Sequence, residues 1–179
     1  MIERLLGDEV EGSGKYLAEV IYGANDGIVT TFAVVAGVAG AALSPSIVLV
    51  LGAANLFADG FSMGMSNFLS RRSEIDYRAS TDDGAEPDPD DKSPARTAAA
   101  TFAAFVVAGW TPLIPYLLEL RPLFPLSIAF TGLAFFAVGA SRSLVTERRW
   151  LVNGLEMLAV GMLAAAVAFA VGSLLKGLA

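Results

Sequence analysis

Five apolar segments dominate the sequence, and each is close to the length that a helix needs to cross a bilayer. A membrane-spanning helix takes about 20 mainly apolar residues. The segments cover residues 17–42, 46–69, 97–118, 123–145 and 151–175. Polar or proline-containing breaks separate them. The sequence therefore predicts an all-α integral membrane protein with five transmembrane helices.

The composition limits the chemistry that such a protein can perform. The chain is 55% hydrophobic and 17% charged, and it contains no cysteine and no histidine. Disulfides, thiolate or imidazole metal sites and catalytic triads built on either residue are therefore excluded. Carboxylates, amides, hydroxyls and thioethers remain. We expect no enzymatic activity, no bound cofactor and no nucleic acid partner, and we expect membrane lipid to surround the chain.

The basic residues predict the orientation. With a cytoplasmic N-terminus, ten Lys and Arg residues fall on the cytoplasmic side and only Arg121 and Lys176 on the other. An excess of Lys and Arg is typical of cytoplasmic loops. Five spans then leave the C-terminus outside. The segment 1–15 lacks the basic and then apolar layout of a cleavable signal peptide, so we expect it to be retained.

The predicted organisation has five parts. They are a cytoplasmic N-terminal segment (1–16), the first two helices with the ion pathway (17–69), an acidic cytoplasmic loop (70–96), the remaining three helices (97–175) and a C-terminal tail (176–179).

The loop between the second and third spans is strongly acidic. Residues 74–93 carry eight acids and two bases, which is a net charge of −6 and equals that of the whole chain. Their proline, glycine and scarce apolar residues predict a disordered or weakly ordered segment. Two interpretations stay open: a solvated linker, or a low-affinity antenna that raises the cation concentration at a pore mouth.

Ionisable and amide side chains occur inside the first two spans, where each is costly unless paired, hydrated or neutralised. Glu19 and Asp26 are two helical turns apart and share one face of the first span. In the second span Asn55, Asp59 and Met63 recur at every fourth residue. Two helices thus present oxygen-rich stripes, and these five residues are the predicted metal ligands.

The donor atoms indicate which cations such stripes would bind. Carboxylate and amide oxygens suit Mg²⁺, Ca²⁺ and Mn²⁺, whereas a nearby thioether favours softer first-row metals such as Fe²⁺. Methionine is more often a packing residue than a ligand. Met63 is better placed than Met65 because it follows Asp59 by one turn.

Glu156 near the cytoplasmic end of the fifth span has two interpretations. It could contribute to the ion pathway, or it could pair with Arg148 or Arg149 at the membrane interface.

Glycines at a spacing of four surround the predicted ligands. Gly23 and Gly27 flank Asp26, Gly60 and Gly64 flank Met63, and Gly37 continues the first ridge. Small residues at this spacing let transmembrane helices approach closely. We predict that these glycines form helix-packing or dimer contacts, with packing alone as the simpler alternative.

Three stretches resemble the vacuolar iron transporter family. They are "GANDGIVTTFAVVAGVAGA" (23–41), "ANLFADGFSMGMSNFLSRRSE" (54–74) and "SPARTAAATFAAFVVAGWTPLIP" (93–115). The resemblance implies a five-span homodimer that exports cytosolic ferrous iron, and often manganese, in exchange for protons. It also implies a pathway at the dimer interface, with Asp26 and Met63 as the central ligands.

The sequence departs from the family pattern at three places. Plant and fungal members carry a helical cytoplasmic metal-binding domain where this chain has only the short loop 70–96, so metal sensing is not implied here. Ala18 and Glu19 stand where many members have Arg-Asp, and Ser66 and Asn67 stand where they have Gly-Glu. Asp59 is our candidate to replace the carboxylate missing at Asn67.

The sequence and the resemblance thus predict a transporter of Fe²⁺, and also of Mn²⁺, out of the cytoplasm, located in the cell membrane. Proton exchange is the predicted mechanism, and a channel would need the same ligands. Two alternatives remain. A structural or assembly protein would use the glycines only for helix packing, and a transporter of organic cations would need aromatic side chains along its pathway. No aromatic residue lies on the stripe of residues 55, 59 and 63.

Overall fold

The computed structural model describes residues 15–81, 92–144 and 146–177. These residues form helices α1 (Leu17–Gly40), α2 (Pro45–Thr81), α3 (Pro94–Gly109), α4 (Ile114–Leu117), α5 (Leu123–Ser141) and α6 (Trp150–Leu175). Five helical stretches are long and apolar enough to cross a membrane, with Pro94–Leu117 counted as one. The predicted all-α fold with five spans is confirmed. The N-terminal segment up to residue 14 and the acidic residues 82–91 lie outside the described ranges.

The first two spans form an antiparallel hairpin. Helix α1 ends at Gly40, and Ala42 takes a left-handed φ of 57°. The Leu43 N–H then donates to the Val38 carbonyl oxygen at 3.1 Å, as at many helix C-termini. Pro45 opens α2, where its missing N–H costs no helical hydrogen bond. With only residues 41–44 between them, α1 and α2 must run side by side in opposite directions.

Helix α2 extends further than the sequence predicted. It continues to Thr81, so the prediction of a disordered or weakly ordered segment from residue 74 is wrong for residues 74–81. Glu74 pairs with Arg71 and Arg78, and Asp76 lies 4.0 Å from Arg72. Such pairs at i,i+3 and i,i+4 support a helix in water, and no glycine or proline follows Arg71 before Gly84.

The third span is broken near its C-terminal end. Helix α3 ends at Gly109, and Thr111–Leu113 form a 3₁₀ turn before α4. Pro112 and Pro115 cannot donate helical hydrogen bonds. The Ser127 hydroxyl on α5 donates to the Pro112 carbonyl oxygen at 2.7 Å, so one of the carbonyls released by the break is satisfied inside the bundle.

Helix α1 is the centre of the bundle and contacts α2, α3, α5 and α6. Ile28, Phe32 and Val35 on α1 are completely or almost completely buried. Helices α2 and α6 lie at the periphery, and apolar side chains such as Phe61 and Leu163 are exposed on their outer faces. Lipid-facing apolar surface of this kind is expected of a multi-pass membrane protein, which this chain is.

Candidate metal pathway

The hairpin register places the two span carboxylates at the same depth. Asp26 precedes Gly40, the end of α1, by the same number of positions as Asp59 follows Pro45, the start of α2. At a rise of about 1.5 Å per residue, both are about 21 Å from the turn that joins the helices. Helices α1 and α2 contact each other. The structure therefore places at one depth of this helix pair the two acids that the sequence assigned to separate stripes.

The other α2 residues of the predicted stripe lie on the same strip of surface. Asn55, Asp59 and Met63 are each half-buried, beside a fully buried row of small and aliphatic residues on α2. Met63 is one turn closer to the C-terminal end of α2 than Asp59. Met65, by contrast, lies in an apolar recess beside Phe61, so the preference for Met63 over Met65 agrees with its surroundings.

Glu19 lies near the start of α1, two helical turns from Asp26 and about 31 Å from the turn that joins the helices. It lines a polar cavity of about 350 Å³ together with Asn67 and Ser70 of α2. Its carboxylate is not free, because the Lys92 ammonium lies 2.7 Å from one carboxylate oxygen and 3.0 Å from the other. No signal in the sequence points to this partner, which is far away along the chain.

Asn67 is used for helix packing. Its side-chain amide donates to the Thr101 hydroxyl at 2.8 Å, and that hydroxyl donates to the Thr97 carbonyl oxygen at 3.0 Å. Asn67 therefore ties α2 to α3. Asp59 is then the only acidic residue of α2 within its apolar part.

The glycines that flank the ligands pack helices inside one chain. A Cβ on Gly23 or Gly27 would strike the backbone of Thr101 or Phe105 on α3. Gly64 similarly approaches the Ala98 carbonyl oxygen, 3.1 Å from a Cβ, and Gly60 contacts the Phe105 ring. The packing interpretation is therefore the correct one for these four residues.

Gly37 is different. It is half-buried, and a Cβ there would lie 3.7 Å from the nearest atom outside its own helix, the Ala168 carbonyl oxygen. The Gly37 backbone is nonetheless close to α6, because a Cβ on Gly172 would lie 2.9 Å from the Gly37 carbonyl carbon. The dimer contact expected for Gly37 stays a prediction.

Glu156 belongs to an interfacial ion-pair group. Its carboxylate lies 3.5 Å from the Arg148 guanidinium and 3.8 Å from that of Arg142. The pairing interpretation with Arg148 is confirmed, and Arg142 is an additional partner.

One chain does not form a complete cation site. Within residues 15–81, 92–144 and 146–177, no three acidic side chains lie close enough together to hold a metal ion. As predicted ligands, Asp26 and Asp59 would supply two carboxylates and Met63 a thioether. Divalent cations such as Mn²⁺ and Mg²⁺ prefer about six ligands, which is more than these three side chains offer.

The comparison with protein families decides which class of membrane protein this is. The family model described as the VIT family matches residues 17–86 and 78–173, which together cover most of the chain. The chain belongs to the VIT family. The match includes both stripes, the hairpin that aligns them and Lys92. Membership in the VIT family supports metal ion transport as the activity of the chain.

Curated relatives from plants resemble this VIT family member along most of its length. "Vacuolar iron transporter 1" of Arabidopsis thaliana is 25% identical over 219 aligned positions, which cover 92% of this chain and 88% of the relative. The Eucalyptus grandis protein of the same name is 26% identical, with 93% and 90% covered. Both alignments are longer than this chain of 179 residues, so the plant proteins contain residues with no counterpart here.

A higher identity occurs over a shorter stretch. "Vacuolar iron transporter" of Plasmodium berghei is 44% identical over 62 residues, which are 35% of this chain and 23% of that protein. The chain thus matches about a quarter of the length of its parasite relatives, and 92% of it aligns with the Arabidopsis protein.

Proposed function

We propose that the protein transports divalent transition-metal cations, Fe²⁺ and also Mn²⁺, out of the cytoplasm in exchange for protons. The relatives named vacuolar iron transporters support the choice of iron. The observation that carries the proposal is the matched depth of Asp26 and Asp59 on adjacent helices. Two carboxylates at the same depth on adjacent membrane helices repel unless a cation or protons neutralise them. Such a pair is therefore suited to alternate between metal and protons.

The proposed path starts at the cytoplasmic cavity and ends beyond the carboxylate pair. A cation entering past Glu19 would reach Met63 and then Asp26 and Asp59, with Asn55 one further turn toward the outer side. Protons from the outer side would replace the metal on the carboxylates and return them to the inward-facing state. Each ligand lies on α1 or α2, so a small change in the packing of this hairpin could open either end.

We further propose that two copies form a homodimer around the path. A single chain offers too few acidic ligands for a bound cation among the residues that the structure describes. Asp26 and Ala33 form a half-buried strip on one face of α1. A second copy placed against this strip by two-fold symmetry would double the number of carboxylates and thioethers.

The direction of transport depends on the orientation of the chain in the membrane. We predict a cytoplasmic N-terminus and an external C-terminus. A reporter protein fused after Ala179 should give the signal of an external location. The reason is that ten of the twelve basic residues would then lie on the cytoplasmic side. The same reporter inserted after Ser80, at the cytoplasmic end of α2, provides the internal control. A C-terminal reporter that behaves like the one after Ser80 would reverse the proposed direction.

Met63→Leu should weaken Fe²⁺ transport more than Mn²⁺ transport. Leucine keeps the volume and apolarity of methionine and removes the sulfur, which is the softer ligand of the site. We expect Fe²⁺ flux in proteoliposomes to fall about tenfold, equivalent to about 1.4 kcal/mol, and Mn²⁺ flux to fall less. Met65→Leu is the matched control, because Met65 lies in the apolar recess. Equal losses for the two ions would show that the sulfur does not select the metal.

A further inference from the structure

At the cytoplasmic entrance of the proposed path, the ammonium group of Lys92 forms an ion pair with Glu19. The Lys92 ammonium contacts both carboxylate oxygens of Glu19, at 2.7 and 3.0 Å. The Glu19 side chain is 14% exposed and that of Lys92 is 29% exposed, so the pair is partly sheltered and still reachable from the cavity. Among the predicted ligands of the path, Glu19 is the one nearest to the cytoplasmic entrance. The Lys92 ammonium thus occupies the position at which an incoming cation would bind Glu19.

Two backbone contacts hold this lysine in place. The Arg71 guanidinium donates to the Lys92 carbonyl oxygen at 3.4 Å, and the next residue, Ser93, donates its N–H to the Tyr16 hydroxyl at 3.1 Å. The first contact comes from α2 and the second from the residue that precedes α1. The ammonium is therefore presented to Glu19 from a backbone that is fixed on two sides.

We propose that Lys92 is a specificity-determining residue that admits divalent cations and excludes monovalent ones. This inference rests on the proposed function and concerns its entrance. A tethered ammonium has a high effective concentration at Glu19, so an ion of equal charge, such as K⁺ or Na⁺, gains nothing by replacing it. A divalent ion has twice the Coulomb attraction to the carboxylate at the same distance. It displaces the ammonium and proceeds along the path.

The strength of the pair fits this role. A partly exposed ion pair contributes little net free energy, so a divalent cation can break it at moderate concentration. The ammonium also has room to withdraw into the polar cavity of about 350 Å³, which Lys92 itself lines. The selectivity therefore depends on the charge of the ion and not on a narrow fit to its radius.

Lys92→Gln and Arg96→Gln form a matched pair of variants for the test. Each removes one positive charge near the start of α3, and Arg96 is exposed, so both change the general electrostatic attraction of cations equally. Only Lys92→Gln frees Glu19. We expect Lys92→Gln to lower the apparent KM for Mn²⁺ in proteoliposomes about two- to fivefold and to make the flux sensitive to K⁺. Arg96→Gln should match the wild type in both respects.

A second arm measures the displacement directly in the wild-type protein. The chain contains only three lysines, Lys15, Lys92 and Lys176, so an amine-labelling reagent followed by mass spectrometry can follow each one. Saturating Mn²⁺ should increase the labelling of Lys92, K⁺ at the same ionic strength should not, and Lys176 on the other side of the membrane should serve as the internal reference. Glu19→Gln should remove the effect of Mn²⁺.

The outcomes separate this inference from the proposed function. If the wild type shows no Mn²⁺ flux, the proposed function fails. If the wild type transports Mn²⁺ but Lys92→Gln behaves like Arg96→Gln, or Mn²⁺ leaves the labelling of Lys92 unchanged, then Lys92 does not guard the entrance.

Discussion

Asp26→Asn is expected to abolish Fe²⁺ flux and to leave the protein folded. Asparagine keeps the size of the side chain and its capacity for hydrogen bonds, and it removes the charge that balances the cation. Removing one partner of a buried charge pair costs about 2 kcal/mol or more, which corresponds to at least about a 30-fold loss. The measurement is Fe²⁺ uptake into proteoliposomes under a proton gradient.

The matched control is Asp76→Asn, the same chemical change on the exposed cytoplasmic end of α2. Asp76 lies 4.0 Å from Arg72 in a solvent-exposed pair, so its loss should leave the flux near the wild-type rate. Folding of both variants is checked by their elution and thermal unfolding in detergent. Wild-type flux in Asp26→Asn would favour the alternative in which the glycines and acids serve only to assemble the helices.

Mixing wild-type and Asp26→Asn protein tests whether two copies of the chain share one site. If two chains build one path, co-reconstituting equal amounts of wild-type and Asp26→Asn protein leaves about a quarter of the pairs fully wild type, whereas independent chains leave about half the activity. Flux that falls in proportion to the mutant fraction alone would show that each chain works by itself.

Gly27→Ala should destabilise the protein strongly although it adds a single methyl group. The new Cβ would lie 2.9 Å from the carbonyl carbon and 3.0 Å from the Cα of Phe105, and closer still to the carbonyl oxygen. These are backbone atoms of α3, so no side-chain rotation can relieve the contact. Overpacking of this kind costs about 1–3 kcal/mol, and we expect a clearly lower midpoint of thermal unfolding.

Gly132→Ala provides the comparison, because its Cβ would lie 3.5 Å from a Leu158 methyl group in ordinary contact. That variant should unfold at nearly the wild-type temperature. Equal midpoints for the two alanine variants would mean that α1 and α3 are not packed as closely as the glycines indicate.

The sequence was sufficient for the features that depend on local pattern. Five apolar stretches predict five spans because each must satisfy its backbone hydrogen bonds within a helix, and the structure confirms them. The two ligand stripes follow from the helical period alone. Their alignment also follows once the hairpin loop is known to be short, because equal distances of Asp26 and Asp59 from the turn then give equal depths.

The features that the sequence missed depend on contacts between distant residues. The Lys92 partner of Glu19 and the Thr101 partner of Asn67 are separated from them by long stretches of chain, and nothing in the local pattern marks them. The helical end of α2 is hard to recognise in the sequence because proline, glycine and further acidic residues follow it directly. The ion pairs of Glu74 could have revealed it, since their spacing is that of a helix.

The most direct test of the account is to record metal uptake and proton movement together in proteoliposomes of the wild-type protein. Fe²⁺ is supplied on one side under reducing conditions, and a pH-sensitive dye is enclosed on the other. We predict saturable Fe²⁺ uptake accompanied by proton efflux in the opposite direction, both absent from empty liposomes and from Asp26→Asn. Wild-type liposomes that take up Fe²⁺ no faster than empty ones would contradict metal transport, and uptake without proton movement would contradict exchange.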